Sequence, residues 1–329
     1  MASVGYVQKA VEYAKDLFDP DKKFLTVSRL HGFYPDMDDA LYLKKLYKAK
    51  MGRDLDLKNP DTFNAKLQWL KLYDRKEIYT TLVDKYKVKD YVAEKIGQEY
   101  IIPTLGAWES FDDIDFSALP DQFVLKCNHD SGGLVIVRDK AAFGTSKKKM
   151  AKKKLERSLH KNFYTWSREW PYKNVKPLIL AETYMEQDSV PDSIQQDLSN
   201  GSNLVDYKLM CFNGKVKCSF TTVNRWAKSG VEMTFYDREW KRLPFERHFK
   251  SSKEDVPKPA AYEEMVMLAE KLAEDIPFCR IDFYEVNGRP YFGEITLYPG
   301  SGFEEFTPEE WDGILGSWLT LPEKKIRRK

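Results

Sequence analysis

The sequence predicts an α+β protein with a helical front region, and three observations carry that reading. Phe63, Leu67 and Leu70 recur at i, i+4, i+7 within the first 80 residues, short apolar runs alternate with helical stretches beyond Ile101, and two Asn-Gly pairs each separate strand-like runs. The composition suits a packed core: of 329 residues, 42% are apolar and 14% aromatic, which excludes collagen-like, low-complexity and disordered classes. A chain of this length is expected to pack as two or three subdomains.

Residues 1–80 read mainly helical, with Pro60-Asp61 as a start signal. Asp84 to Ile96 is a further helix pattern, closed by Gly97 as C-cap. Gln122 to Cys127 and Leu134 to Val137 read as strands joined by a polar glycine loop, Asn128 to Gly133. A basic amphipathic helix follows from Ser146 to Leu159, then a buried strand from Pro177 to Met185. Val205 to Phe212 and Lys215 to Val223 form a hairpin through Asn213-Gly214, and Asp237 to Lys253 is irregular. Ala260 to Ile276 is a helix with Met265, Leu268, Ala269 and Leu272 on one face. The stretch CRIDFYEVNGRPYFGEITLYPGSG is a second hairpin running into a Pro-Gly-Ser-Gly turn.

Charge and motifs narrow the function classes. The 53 Lys+Arg against 51 Asp+Glu give +2, too even for an electrostatic nucleic-acid binder. The first 30 residues lack a signal-peptide core, and no apolar run approaches the ~20 residues that span a bilayer, so the chain is expected to be soluble and cytoplasmic, without stable membrane insertion. The four cysteines form no CxxC pair and read as small buried thiols. No G-x-S-x-G, HExxH or GxxxxGK[ST] motif is present, and the histidines lack metal-ligand spacing.

Lys126 lies in the apolar run Phe123-Val124-Leu125, where an ammonium must either reach solvent or meet an anion. As a snorkelling side chain its removal is expected to spare the fold; beside a glycine loop it has the placement that wraps polyphosphate. Asp282 and Glu294 stand on the two arms of the Asn287-Gly288 hairpin. They either point to opposite faces or repel each other unless a cation intervenes, and Mg²⁺ is the natural partner of two such carboxylates. Parity decides between these. A two-residue loop sets Asp282 against Gly293 and turns Glu294 away; a three-residue loop of Val286, Asn287 and Gly288 puts Asp282, Glu294 and Thr296 on one face, and it is the loop expected here. Lys85, Lys208 and Arg225 are cations without an evident partner, each read singly as a solvated charge. The basic stretch Lys147, Lys148, Lys149, Lys152, Lys153, Lys154, Arg157 reads as a solvated helix face or as a docking patch for an anionic polymer or lipid head group.

The order of the pieces, Asp84-Lys85, VLKCNHDSGG, LAETYM, DYKLMCFNGK and RIDFYEVNGRPYFGEITLYPGSG, resembles the ATP-grasp superfamily. With TFNAKLQWLKLYDR and LPDQFVLKCNHDSGG it is similar, more narrowly, to the TupA-like ATP-grasp family, named for teichuronopeptide biosynthesis, over about Asp61 to Gly302. The resemblance implies an ATP-grasp fold of two α/β subdomains clasping ATP: a helical region at 1–80, an N-terminal subdomain with the glycine-loop lid at 81–185, a C-terminal subdomain with the metal site at 186–320 and a basic tail at 321–329. It implies ATP and Mg²⁺ as cofactors. Lys85 and Lys126 would meet the phosphates under a lid of His129, Asp130, Ser131, Gly132 and Gly133, and Glu182, Thr183, Tyr184 and Met185 would line the adenine pocket. Lys208 and Arg225 would be catalytic. Asp282, Glu294 and Thr296 would hold the metal, with Thr296 standing where the superfamily commonly has asparagine.

The implied reaction is carboxylate–amine ligation through an acyl phosphate, and the family's setting suggests joining an amino acid or amine to a uronic acid or acidic glycan in capsule or cell-wall polysaccharide biosynthesis. The alternatives are a glycosyltransferase or phosphoryltransferase of the same pathway, or a non-catalytic ATP-binding scaffold. Fold-level kinship does not choose the acceptor.

Overall fold

The computed structural model describes residues 18–186, 204–223 and 230–324. Its front is helical. After α1 (Pro20–Leu30), α2 (Asp39–Met51) starts where Asp38 accepts the Leu41 N–H at 3.0 Å and ends at Gly52 in the left-handed region. Thr62 caps α3 (Phe63–Tyr73) by accepting the Ala65 N–H, and the apolar face that follows is buried in the main core. Helix α4 (Ile78–Val83) ends just before the helix expected from Asp84 to Ile96, and that stretch is a turn over residues 84–87 followed by the shorter α5 (Val88–Ile96). The Asp84 carboxylate accepts the N–H groups of Tyr86 (2.9 Å) and Lys87 (3.3 Å). A local bond of this kind competes with the helix ladder and turns the chain at Lys85.

Two antiparallel sheets follow. The first contains β1 (Thr104–Trp108), β2 (Phe123–Cys127), β3 (Leu134–Val137) and β4 (Ile179–Thr183) in the order β1-β4-β2-β3. Helix α6 (Thr145–Leu159) covers it, with Ala151 and Leu155 packed among Phe123, Leu125 and Cys127, and short α7 (Phe163–Ser167) comes after. The second sheet contains β5 (Asp206–Phe212), β6 (Lys215–Val223), β7 (Glu232–Asp237), β9 (Phe278–Val286) and β10 (Arg289–Thr296) in the order β10-β9-β5-β6-β7. Against it lies α8 (Tyr262–Leu272), whose inner face is the expected Met265, Leu268, Ala269 and Leu272. A ribbon of β8 (Glu246–Arg247) and β11 (Phe306–Thr307) leads to α9 (Glu310–Trp318). Strands β1 and β7 were not among the expected elements.

The β9–β10 hairpin corrects the parity expectation. Its turn is the two-residue Asn287-Gly288, both at positive φ (51° and 78°), with Val286 opposite Arg289; the three-residue loop does not form. The register then shifts by one residue between Phe292 and Glu294. Gly293 is bulged out, and Glu294 comes to lie directly opposite Asp282. A Cβ at Gly293 would sit 3.1 Å from the Asp282 carbonyl oxygen and 3.2 Å from the Tyr284 ring, so a side chain there would have to push its neighbours back by a few tenths of an ångström.

Cys127 is buried in the first sheet and Cys211, Cys218 and Cys279 in the second. Among the described residues no helix is long and apolar enough to cross a membrane.

Candidate active site

Three neighbouring strands align one residue each. Lys208 on β5 pairs with Asp282 on β9, and Asp282 pairs with Glu294 on β10. Strand alternation adds the residues two places before the first two, because i and i+2 share a face: Asp206 beside Lys208, and Arg280 beside Asp282. Lys208 bonds Asp282 and reaches Asp206 at 2.5 Å. The Arg280 guanidinium spans both acids, with Nε 2.6 Å from Asp282 Oδ1 and Nη2 2.8 Å from Glu294 Oε1. Lys85 arrives from the other sheet's side, its Nζ 2.9 Å from Glu294 and 3.2 Å from the Asp130 carbonyl oxygen.

Three carboxylates therefore face three cations, and the cluster is neutral. Burial raises the Asp282 pKa, with Arg280 and Lys208 only partly offsetting it. Burial acts the same way on Glu294, but Lys85 and Arg280 outweigh it and hold that carboxyl well below its usual range. The two acids thus differ in proton affinity despite lying side by side. The Thr296 hydroxyl is 3.4 Å from Glu294 Oε1, on the expected face.

The glycine loop is fastened at its start. Asn128 donates to Asp84 Oδ1 at 3.0 Å, and its carbonyl accepts the Lys85 N–H at 2.9 Å, which brings Lys85 to the loop. His129 is buried, which lowers its pKa, and its Nε2 lies 2.9 Å from the Lys161 carbonyl oxygen. Asp130 accepts from Ser158 (2.5 Å) and Lys161 (3.0 Å). Ser131 and Gly132 are exposed at the tip, whereas Gly133 packs so closely on Ser158 that a Cβ would lie 2.8 Å from it. The side chains of His129 and Asp130 are thus spent on holding the loop to the last turn of α6 and to Lys161 just after it.

Lys126 does not snorkel to free solvent: it forms a 2.5 Å ion pair with buried Glu182, whose other oxygen meets Lys89 at 2.6 Å. Burial raises the Glu182 pKa, but the two lysines more than reverse that and keep it ionised. Thr183 and Tyr184 border a cleft of about 760 Å³ with Gln122 and Arg138. The Tyr184 hydroxyl is buried with no hydrogen-bond partner among the described residues, and half-buried Met185 follows. Lys85 and Lys208, read from sequence as solvated charges, are both ion-paired here. Arg225 lies outside the described residues.

Sequence reasoning missed Arg280, Asp206 and Lys89. The first two were within reach, since each stands two residues from a named strand residue; Lys89 is on α5 and gave no such signal.

The residues present fit a divalent cation and a polyphosphate. Asp282 and Glu294 supply hard oxygen ligands across a gap that a positive group, Arg280, already spans. Among the described residues no three His, Cys, Asp or Glu cluster as a metal site, so a metal here would use two carboxylates and complete its shell with neutral oxygens.

A sequence model of a family described as TupA-like ATPgrasp matches residues 65–320. No curated protein matches. Among solved structures, the chain is similar to D-alanine–D-alanine ligase from Bacillus anthracis complexed with ATP, at 16% identity over 66% of this chain and 54% of that one, TM-score 0.34. It is also similar to the ATP-grasp ligase PsnB complexed with minimal precursor, at 11% identity over 78% and 66%, TM-score 0.39. The D-alanine–D-alanine ligase from Helicobacter pylori matches at 17% identity over 78% and 69%, TM-score 0.37. The chain spans little more than half the length of the first of these. The family match covers most of the chain, and on that ground the protein belongs to the TupA-like ATP-grasp family.

Proposed function

We propose that the protein is an ATP- and Mg²⁺-dependent ligase that joins a carboxylate to an amine, with a uronic acid or acidic glycan as the acid and an amino acid or amine as its partner, in cytoplasmic steps of surface-polysaccharide assembly. The observation that carries the reading is the row Lys208–Asp282–Glu294, crossed by Arg280 and closed by Lys85. ATP-grasp enzymes use ATP and Mg²⁺. Asp282 and Glu294, with Thr296 beside them, would hold the metal, which would neutralise phosphate charge. Lys85, Lys208 and Arg280, which pair with those acids here, would supply counter-charge to phosphate oxygens. The glycine loop, with Lys126 behind it, would cover the phosphates, and Glu182 to Met185 would border the base.

In the reaction itself, a carboxylate oxygen of the acid bonds to the γ-phosphorus while the bond from that phosphorus to the β-bridging oxygen breaks, releasing ADP. The amine nitrogen then bonds to the acyl carbon, inorganic phosphate leaves with the electron pair, and the nitrogen loses a proton. Charge neutralisation and positioning suffice for both steps, and no covalent nucleophile on the protein is needed.

The test is ADP release across a panel of uronic acids and amines. Turnover that needs both partners is expected, with Asp282→Asn lowering kcat at least 100-fold, on the order seen when a charge-stabilising group is lost. ADP release that ignores the acid and the amine would overturn the ligase reading.

A further inference from the structure

Helix α6 carries seven cations, and the fold uses only some of them. Lys148 lies over the Phe116 ring (4.3 Å), Lys152 pairs with Asp112 (2.5 Å), and Lys154 donates to the Leu134 carbonyl at 2.6 Å. Lys149, Lys153 and Arg157, spaced at i, i+4, i+8, form an exposed stripe with no ion pair among the described residues. The only acid in the helix, Glu156, faces Lys152 at 3.6 Å. Beside the stripe Met150 is 71% exposed.

This arrangement costs the helix stability. Its first turn holds no acid and its N-cap makes no side-chain bond, while lysines there oppose the helix dipole. Lys149/Lys153 and Lys153/Arg157 are like-charged i,i+4 neighbours, which repel. A face that served solubility alone would mix signs, as the adjoining exposed edge does with Lys152, Asp112 and Glu156.

We infer that this outer face of α6 docks the protein on an anionic lipid bilayer. Cations in a flat row attract acidic head groups, and an apolar tip among them gains only where hydrocarbon lies beneath the charge. A soluble polyanion would use the stripe but not Met150. The inner side of the same helix holds the glycine loop through Lys154 on Leu134 and Ser158 on Asp130, so a docked surface lies about one helix diameter, ~10 Å, from that loop. The proposal is independent of the ligase reading.

The test is co-sedimentation of the full chain with phosphatidylcholine vesicles, with or without about one-third phosphatidylglycerol, an anionic fraction that raises a negative surface potential. Binding only to the anionic vesicles is expected. Reversing Lys149, Lys153 and Arg157 to Glu should weaken it at least tenfold, whereas reversing exposed Lys44, Lys45 and Lys58, an equal change in net charge, should leave it nearly intact. Met150→Ser should weaken vesicle binding severalfold and leave binding to soluble heparin unchanged. Each variant is first checked for the parent's melting temperature and ATP-induced stabilisation. No preference for anionic vesicles, equal loss from the two triple reversals, or vesicle binding indifferent to Met150→Ser would each overturn the proposal, the last in favour of a soluble polyanion.

Discussion

Lys126 shows how a single side chain changes meaning once its partner is known. Read alone in an apolar strand it is a snorkelling lysine whose loss is cheap; in the structure it is half of the pair that keeps buried Glu182 ionised. Lys126→Ala should therefore cost about 1–3 kcal/mol in urea unfolding, less than the loss of a lone buried partner because Lys89 remains. The double variant Lys126→Met/Glu182→Leu should not recover that loss, because it leaves Lys89 without its carboxylate; the triple variant that adds Lys89→Met, and so removes all three charges, should recover most of it. His129 gives a pH signature at the same scale. Burial depresses its pKa, so at neutral pH the native ring is uncharged and its stabilisation is fully present. As pH falls through the unfolded value of about 6.5, the unfolded chain takes up the proton first and stability declines. The melting temperature of the parent should drop more between pH 7 and pH 5.5 than that of His129→Gln; parallel curves would show that the ring titrates as it does in the unfolded chain.

Among the elements, the β9–β10 hairpin separates what pairing achieves from what curvature achieves. The two-residue turn alone would set Asp282 against position 293, and the bulge moves the glutamate one place along. Deleting Gly293 is thus expected to straighten the ladder while still bringing the glutamate opposite Asp282, because it removes the extra residue and keeps the turn. The fold should survive with a melting temperature within a few degrees of the parent, and ADP release should fall about tenfold or more, since bulges re-aim side chains near active sites. Unchanged turnover would show that pairing alone suffices. The same hairpin marks how far the sequence could be read. Strand content, the Asn-Gly turn and the identities of Asp282 and Glu294 were legible from alternation and composition. The bulge was not, because Gly293 carries no side chain whose pattern could signal it, and a three-residue loop with a different register explains the same face equally well. Strand β7 was lost inside a polar neighbourhood, and the division of Asp84 to Ile96 into a turn and a helix hinged on hydrogen bonds from one carboxylate.

In the molecule as a whole, the front helices are tied to the end of α7 and to the turn after β10 by a buried polar joint. Lys71 on α3 is fully buried and donates to Gln68 (2.9 Å) and to the carbonyl oxygens of Ser167 (2.9 Å) and Ser301 (2.7 Å). Glu169 accepts from the hydroxyls of Ser167 and Ser301. Burial pulls the Lys71 pKa down to about 7, with Glu169 opposing the fall. Lys71→Ala should lose about 3 kcal/mol in chemical denaturation, in the range for an opened buried polar network; a loss below 1 kcal/mol would mean that the joint is loosely made. The distribution of cysteines gives the same architecture a built-in clock. With one thiol inside the first sheet and three inside the second, and burial pushing Cys127 and Cys218 up to about 12, a thiol reagent can act only when a sheet parts. Labelling time courses therefore count openings sheet by sheet: peptide mapping of Cys127 against Cys211, Cys218 and Cys279 reads whether the two halves breathe together or in turn, without a mutation or an attached probe.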